Sequence, residues 1–311
     1  MIDWLSGGNQ RKDWQWEIGL QSETGRVRQH NEDYVEYAIP EDEEQLYSKG
    51  SIFVVADGMG GHQAGEVASQ EAVERIMTAY YANTTSSVGE SMVAAFEQAN
   101  QDVFGLAQTD STKAGMGTTV VAAVILGSKA IIANVGDSRA YLLRRNRLRQ
   151  ITVDHSWVEV QVQSGILTRE QAALHPQRNL ITRALGTRPS VDVDLFQVDL
   201  RRGDTLLLCT DGLSGQVQDQ KLAHSIRTMP PQQAAMALVE QANAHGGRDN
   251  ASVVIVQAGS GRETVGLQWF VESPKFWNSR HRLLAKLILL IFVCLCVLAI
   301  SILVAKQLNV F

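Results

Sequence analysis

The chain has 311 residues, 45% of them hydrophobic, enough to bury a substantial core in one catalytic-sized domain with an appendage. A formal net charge of −5 and the lack of any long basic run before residue 275 argue against a nucleic-acid surface. Three cysteines, Cys209 in a strand-like run and Cys294 with Cys296 in a long apolar segment, offer neither metal-ligand spacing nor a disulfide framework, and Met1 to Trp16 is polar rather than shaped like a secretory signal.

In chain order, Trp16 to Gln21 reads as a short first strand, followed by a polar run from Arg26 to Asp33 that leads into Tyr34 to Tyr37. Arg28 stands five residues before Asp33 at this loop-to-strand junction; the two could share a rim, or simply form a surface salt bridge on a solvated turn. Ser51 to Ala56 is a run of mostly β-branched and aromatic residues, the pattern of a strand buried on both faces, and it ends on Asp57-Gly58-Met59-Gly60-Gly61-His62. A carboxylate is thereby delivered to a sheet rim, where glycines let backbone approach a ligand; a cation suits a carboxylate beside a carbonyl.

From Gln63 to Tyr81 and from Ser86 to Gln108, apolar residues recur at three and four positions, predicting two amphipathic helices that cover one sheet face. Gly117 to Ile125 and Lys129 to Val135 are two strands, the second ending on Gly136-Asp137-Ser138-Arg139, and Arg139 to Arg144 with Leu148 to Thr152 continue as a meander with a basic hairpin tip. Strands that follow one another without crossover helices predict antiparallel pairing and a sandwich of sheets. Residues 154 to 190 break this rhythm with short helical pieces and polar turns, as a lid, a substrate-facing loop or a capping subdomain does. Val191 to Val198 alternates like an exposed strand, and Asp204 to Cys209 leads to Asp211-Gly212, repeating the strand-aspartate-glycine device. Helices follow at Lys221 to Thr228 and Pro230 to Ala244, the second with proline in its first turn; Asp249-Asn250 then opens the strand Ala251 to Val256.

Asp57, Asp137, Asp211 and Asp249 thus each stand at the end of a β-rich apolar run. Carboxylates repel, and so many at one rim call for a cation. Oxygen ligands without histidine or cysteine suit Mg2+ or Mn2+, and a pair of such ions can activate water against a phosphate ester, with the planar fork of Arg28 on the phosphate oxygens.

The ordered set Arg28 to Asp33 (RQHNED), Ala56 to His62 (ADGMGGH), Gly117-Thr118-Thr119, Gly136 to Arg139 (GDSR), Thr210-Asp211-Gly212 and Asp249-Asn250 resembles the PPM family of metal-dependent Ser/Thr protein phosphatases, the protein phosphatase 2C type, in its compact bacterial form. The likeness runs from about Ile18 to Val256 and implies an α+β fold, an αββα sandwich of two mostly antiparallel sheets flanked by helices. It further implies that Asp57 bridges two metal ions, that Gly58 gives its carbonyl to one, and that Asp211 and Asp249 complete the other. Asp33 and Glu32 match acidic positions that reach waters on the metals, Arg28 the phosphate-binding arginine, Asp137 the position of a third, weaker metal, and residues 154–190 the flap. Several eukaryotic members have histidine, a candidate general acid, where this chain has Met59, and a thioether cannot do that work; His62 lies three residues later.

Leu287 to Ala305 carries no charge, and nineteen such residues cover roughly 28 Å, close to a bilayer's hydrocarbon core of about 30 Å. Lys275, Arg280, Arg282 and Lys286 precede it and Lys306 alone follows, which predicts a single-pass transmembrane helix with the large domain in the cytoplasm. The expected organisation is a phosphatase domain over 1–258, a juxtamembrane linker over 259–286, a transmembrane helix over 287–305 and a tail over 306–311. The resemblance and the anchor together predict a membrane-held enzyme acting on phosphoproteins made by a Ser/Thr kinase. A pseudophosphatase that binds phosphoproteins without hydrolysis, and a hydrolase of small phosphate esters, are the alternative readings.

Overall fold

The computed structural model describes residues 16–60, 63–84 and 86–259. The chain opens with β1 (Trp16–Glu23), β2 (Asp33–Ala38), a short helix α1 (Glu43–Lys49) and β3 (Ser51–Met59). Two long helices, α2 (Ala64–Ala82) and α3 (Val88–Thr109), precede β4 (Gly117–Leu126), β5 (Lys129–Val135), β6 (Arg139–Arg144) and β7 (Arg147–Gln150). Two short helices, α4 (Trp157–Gln163) and α5 (Arg169–Leu174), fill the expected insertion, and β8 (Asp194–Asp199), β9 (Thr205–Cys209), α6 (Asp211–Ser214), α7 (Asp219–Thr228), α8 (Pro231–Ala244) and β10 (Ala251–Ala258) complete the domain.

The strands form two five-stranded sheets, in the orders β1-β10-β9-β6-β7 and β2-β3-β4-β5-β8, with antiparallel pairing throughout. Strand alternation then decides the layers. On β3, Ile52, Val54 and Ala56 face α2 and α3, while Phe53 and Val55 join Leu142, Leu206, Leu208 and Val254 between the sheets. Both faces of β3 are covered from Ile52 to Ala56, which is why that stretch is apolar without a break. The outer face of the first sheet packs Leu207, Val253 and Ile255 on Leu222, Leu238 and Val239 of α7 and α8. The result is the predicted αββα sandwich. Phe53 is fully buried at its centre, and Phe53→Ala would cost roughly 3–5 kcal/mol.

Local signals explain the ends of the elements. Ser87 and Glu90 form a reciprocal capping box at the start of α3, and Pro231 stands in the first turn of α8. Cys209 is buried, and burial pushes its thiol up to about 12, consistent with an apolar filler. The helix α1 went unforeseen although Asp42 caps it, accepting from the Gln45 N–H at 2.8 Å, with Glu43 and Glu44 in its first turn.

One expectation is corrected. The strands after Gly117 do not form one meander, because β5 and β6 lie in different sheets and the chain crosses between them at Gly136-Asp137-Ser138. Gly136 has φ +113°, open to glycine and to few other residues, and a Cβ there would sit 2.4 Å from Thr119 Cβ. That corner places Asp137 at the seam of the two sheets. Among the described residues no helix is long and apolar enough to cross a membrane; the segment 287–305 lies outside them.

Candidate metal centre

Strand ends and connections from both sheets meet at one end of the sandwich, and the predicted site residues lie on them. Asp33 opens β2 and lies directly opposite Asp57 on β3, so pairing register alone brings two carboxylates side by side. Gly58 faces Thr118 on β4, and the Thr118 hydroxyl donates to the Asp57 carbonyl at 2.8 Å. No side chain fits at Gly58, since a Cβ would meet Gly65 O at 2.0 Å and Glu32 O at 2.5 Å. The Gly58 N–H instead donates to Glu32 O at 3.0 Å, and the Ser69 hydroxyl donates to the same oxygen at 2.6 Å.

The repeated strand-aspartate-glycine device has two different structures. Asp57-Gly58-Met59 continues β3, because Thr119, Thr118 and Gly117 pair with it. Asp211-Gly212 finds no such partner strand and turns into α6, with Thr210 at its N-cap. The Thr210 hydroxyl donates to Asp33 Oδ2 at 2.9 Å and accepts from the Ser252 N–H at 3.1 Å, which joins β9, β10 and β2 at the rim.

Arg28 sits in the β1–β2 connection. It donates to Asp249 Oδ2 at 2.9 Å and approaches Glu32 Oε2 at 3.9 Å, so its carboxylate partner is not Asp33, the residue suggested by spacing. Asn250 holds this connection in place. Its Oδ1 accepts from the Glu32 N–H at 2.8 Å, and its Nδ2 donates to Thr24 O and His30 O, both at 2.9 Å.

Burial dominates the electrostatics. It pushes Asp33 up to about 7, against the pull of the Ser252 and Thr210 hydroxyls; only the Thr210 bond is well formed, and Oδ1 is left without a partner. Asp57 is driven well above the usual carboxylate range by burial and then by the charges of Asp33, Asp211, Asp137 and Asp249. Asp137 reaches about 8, through burial, Asp211 and Asp154. Asp211 is raised by burial and by Asp249, while a hydrogen bond shared with the Asp57 carboxyl lowers it. Asp137 Oδ1 is also buried without a partner.

The structure therefore gathers Asp33, Asp57, Gly58, Asp137, Asp211 and Asp249 with Arg28 at one rim. Among the described residues no three acidic, histidine or cysteine side chains close around a single point, and the Asp249 carboxylate is turned to the Arg28 guanidinium. Buried carboxylates that repel one another, with two unpartnered oxygens and no histidine or thiol among them, fit a hard divalent cation and fit nothing apolar. A cleft of about 300 Å³ leads from Asp137 and Asp211 past Arg139 and Asp154 to Arg169 and Arg178 of the insertion. His62 lies outside the described residues.

Sequence reading missed the supports: Thr210, Asn250, and Arg139, whose guanidinium meets both oxygens of Asp154 at 2.6–3.0 Å. All three stood in the quoted motifs, but their partners lie on other elements.

The family model for protein phosphatase 2C matches residues 26–245. The serine/threonine phosphatase stp of Listeria innocua is 38% identical over 245 residues, covering 76% of this chain and 94% of that relative. The crystal structure of the Mycobacterium tuberculosis serine/threonine phosphatase PstP/Ppp superposes with a TM-score of 0.70 at 34% identity, over 78% of this chain and 99% of that one. A catalytic domain of PstP in complex with two manganese ions gives 0.68 at 33% identity, over 78% and 98%. By these matches the chain belongs to the protein phosphatase 2C family.

Proposed function

We propose that this chain hydrolyses phosphoserine and phosphothreonine in proteins with two Mg2+ or Mn2+ ions, while held at a membrane by its C-terminal apolar segment. The observation that carries the catalytic reading is the rim of buried, mutually repelling carboxylates around Asp57. Asp57, Asp211 and Asp249, with the Gly58 carbonyl, would hold the two ions, and Asp137 a third. Such ions, when bound, lower the pKa of water enough to give a nucleophile at neutral pH and polarise the phosphoryl oxygens.

The chain's own residues supply the rest. Asp33 is fixed by the Thr210 hydroxyl beside Asp57, where it can orient water without leaving the rim. Arg28 is half-exposed at the edge of the cluster, with a planar fork suited to phosphate oxygens. Met59 carries no proton to give the leaving oxygen, which leaves solvent or His62 for that role. The cleft of about 300 Å³ toward Arg169 and Arg178 adjoins Asp137 and Asp211, where a side chain next to the phosphorylated residue could enter.

The membrane reading rests on Leu287 to Ala305 and the basic residues before it. The strand β10 runs from the carboxylate end at Ala251 to the opposite end at Ala258, so the polypeptide leaves the domain away from the site. The substrates would be phosphoproteins of a Ser/Thr kinase at that membrane.

Phosphate release from a phosphothreonine peptide, with and without Mn2+ and beside Asp57→Asn, tests the catalytic reading. Metal-dependent release lost in Asp57→Asn is expected. Binding without release would favour a pseudophosphatase, and release from small esters alone would favour a small-ester hydrolase. Recovery in the soluble fraction after cell lysis would overturn the anchor.

A further inference from the structure

Asp137 is delivered by a corner that its own strand holds through one side-chain contact, Asn134 Nδ2 donating to Gly136 O at 3.2 Å, and the groups beyond the strand show what else holds it. Gly136 is buried, and its N–H must find an acceptor. That acceptor is the His155 ring: the Gly136 N–H donates to His155 Nδ1 at 2.9 Å, while the His155 N–H donates back to Gly136 O at 3.0 Å. Because Nδ1 accepts, the ring proton is on Nε2, which donates to Asp194 Oδ2 at 3.1 Å. Asp194 Oδ1 in turn accepts from Arg183 Nη1 at 2.6 Å. On the other side of the corner, Ser138 and Thr119 share a hydroxyl hydrogen bond of 2.7 Å. Asp137 is thus gripped from before and after, with His155 as the one ring in the chain that runs out to Arg183 in the insertion.

We infer that His155 is a positioning residue: by accepting the Gly136 N–H it aims the Asp137 carboxylate into the cluster, and it thereby sets the affinity of the cation held there. The inference rests on the reading of Asp137 as a cation ligand. Partners that orient ligands in this way typically alter metal affinity by roughly 10- to 100-fold when removed.

The test is Mn2+ binding to the full-length chain, followed by the paramagnetic resonance of the free ion, for wild type, His155→Leu, His155→Asn, His155→Gln and Asp137→Asn. Asparagine places an oxygen acceptor where Nδ1 was, whereas glutamine reaches only the Nε2 position. We expect Asp137→Asn to lose the weakest site, His155→Leu and His155→Gln to weaken it by roughly 10-fold or more, and His155→Asn to restore it to within about threefold of wild type. A purely structural role would not separate asparagine from glutamine. Loss of the site in Asp137→Asn with unchanged binding in His155→Leu would overturn the inference alone; equal weakening in the asparagine and glutamine variants would also overturn it. Unchanged binding in Asp137→Asn would overturn the assignment of Asp137, and the inference with it.

Discussion

Asn250→Ala should unsettle the phosphate end of the site without touching a carboxylate. The Asn250 side chain is buried and makes three hydrogen bonds, at 2.8, 2.9 and 2.9 Å, all to backbone groups of the β1–β2 connection. Truncation leaves the Glu32 N–H and the Thr24 and His30 carbonyls without partners, at about 1–3 kcal/mol for each buried group. The connection is exposed on one side, so water can reach part of it, and the low end of that range gives a total of about 3 kcal/mol. For a domain of this size 1 kcal/mol corresponds to roughly 2–4 °C, and the melting temperature should fall by about 6–12 °C. Thermal unfolding in EDTA, followed by circular dichroism, measures this directly. A decrease below about 2 °C for Asn250→Ala would show that the connection is held by something else.

Other outcomes follow from the same geometry. Asp33 at about 7 and Asp137 at about 8 bind protons in the folded chain that an unfolded aspartate has already lost. Their contribution to stability is full at low pH and lost as pH rises through 7 to 8, by up to about 1.4 kcal/mol per pH unit for each extra bound proton. Urea unfolding in EDTA should therefore show stability declining from pH 5 to pH 8, and Mn2+ should flatten the decline; a stability that rises with pH would refute the assignment. Asp57→Asn replaces a carboxyl that burial and four neighbouring carboxylates force to stay protonated with a neutral amide that needs no proton, so in EDTA at pH 7 the variant should melt above wild type while it releases no phosphate. A variant that melts below wild type in EDTA would contradict that forced protonation. Arg28→Ala should raise KM more than it lowers kcat in steady-state hydrolysis of a phosphothreonine peptide, because a ground-state phosphate contact is lost; an unchanged KM would remove Arg28 from that role.

Much of this architecture was legible in the residues because the sandwich imposes simple patterns. A strand buried between a sheet and two helices, as β3 is, must be apolar on both faces, and Ile52 to Ala56 is. The metal-site carboxylates were legible because Asp57, Asp137 and Asp211 follow such runs and Asp249 precedes one. What the residues could not show was partnership across the chain. Asp57 and Asp211 both precede a glycine at the end of an apolar strand, yet one stays in a strand and the other opens a helix, because only the first has Thr118 and Thr119 beside it. Arg28 is close to Asp33 in sequence but bonds to Asp249, 221 positions away. The sheet change at Gly136 was hidden for a related reason: a meander and a crossing both read as strand, glycine, strand, and the difference lies in which edges are free to pair.

The central claim is that the carboxylate rim holds divalent ions. Isothermal titration of the metal-free, full-length chain with Mn2+ at pH 7, repeated in two buffers of different ionisation enthalpy, counts the ions and the protons they displace. Two tightly held ions are predicted, with net proton release from the raised carboxyls and loss of tight binding in Asp57→Asn. A wild-type chain that takes up no Mn2+, or an Asp57→Asn chain that binds it as wild type does, would contradict the account.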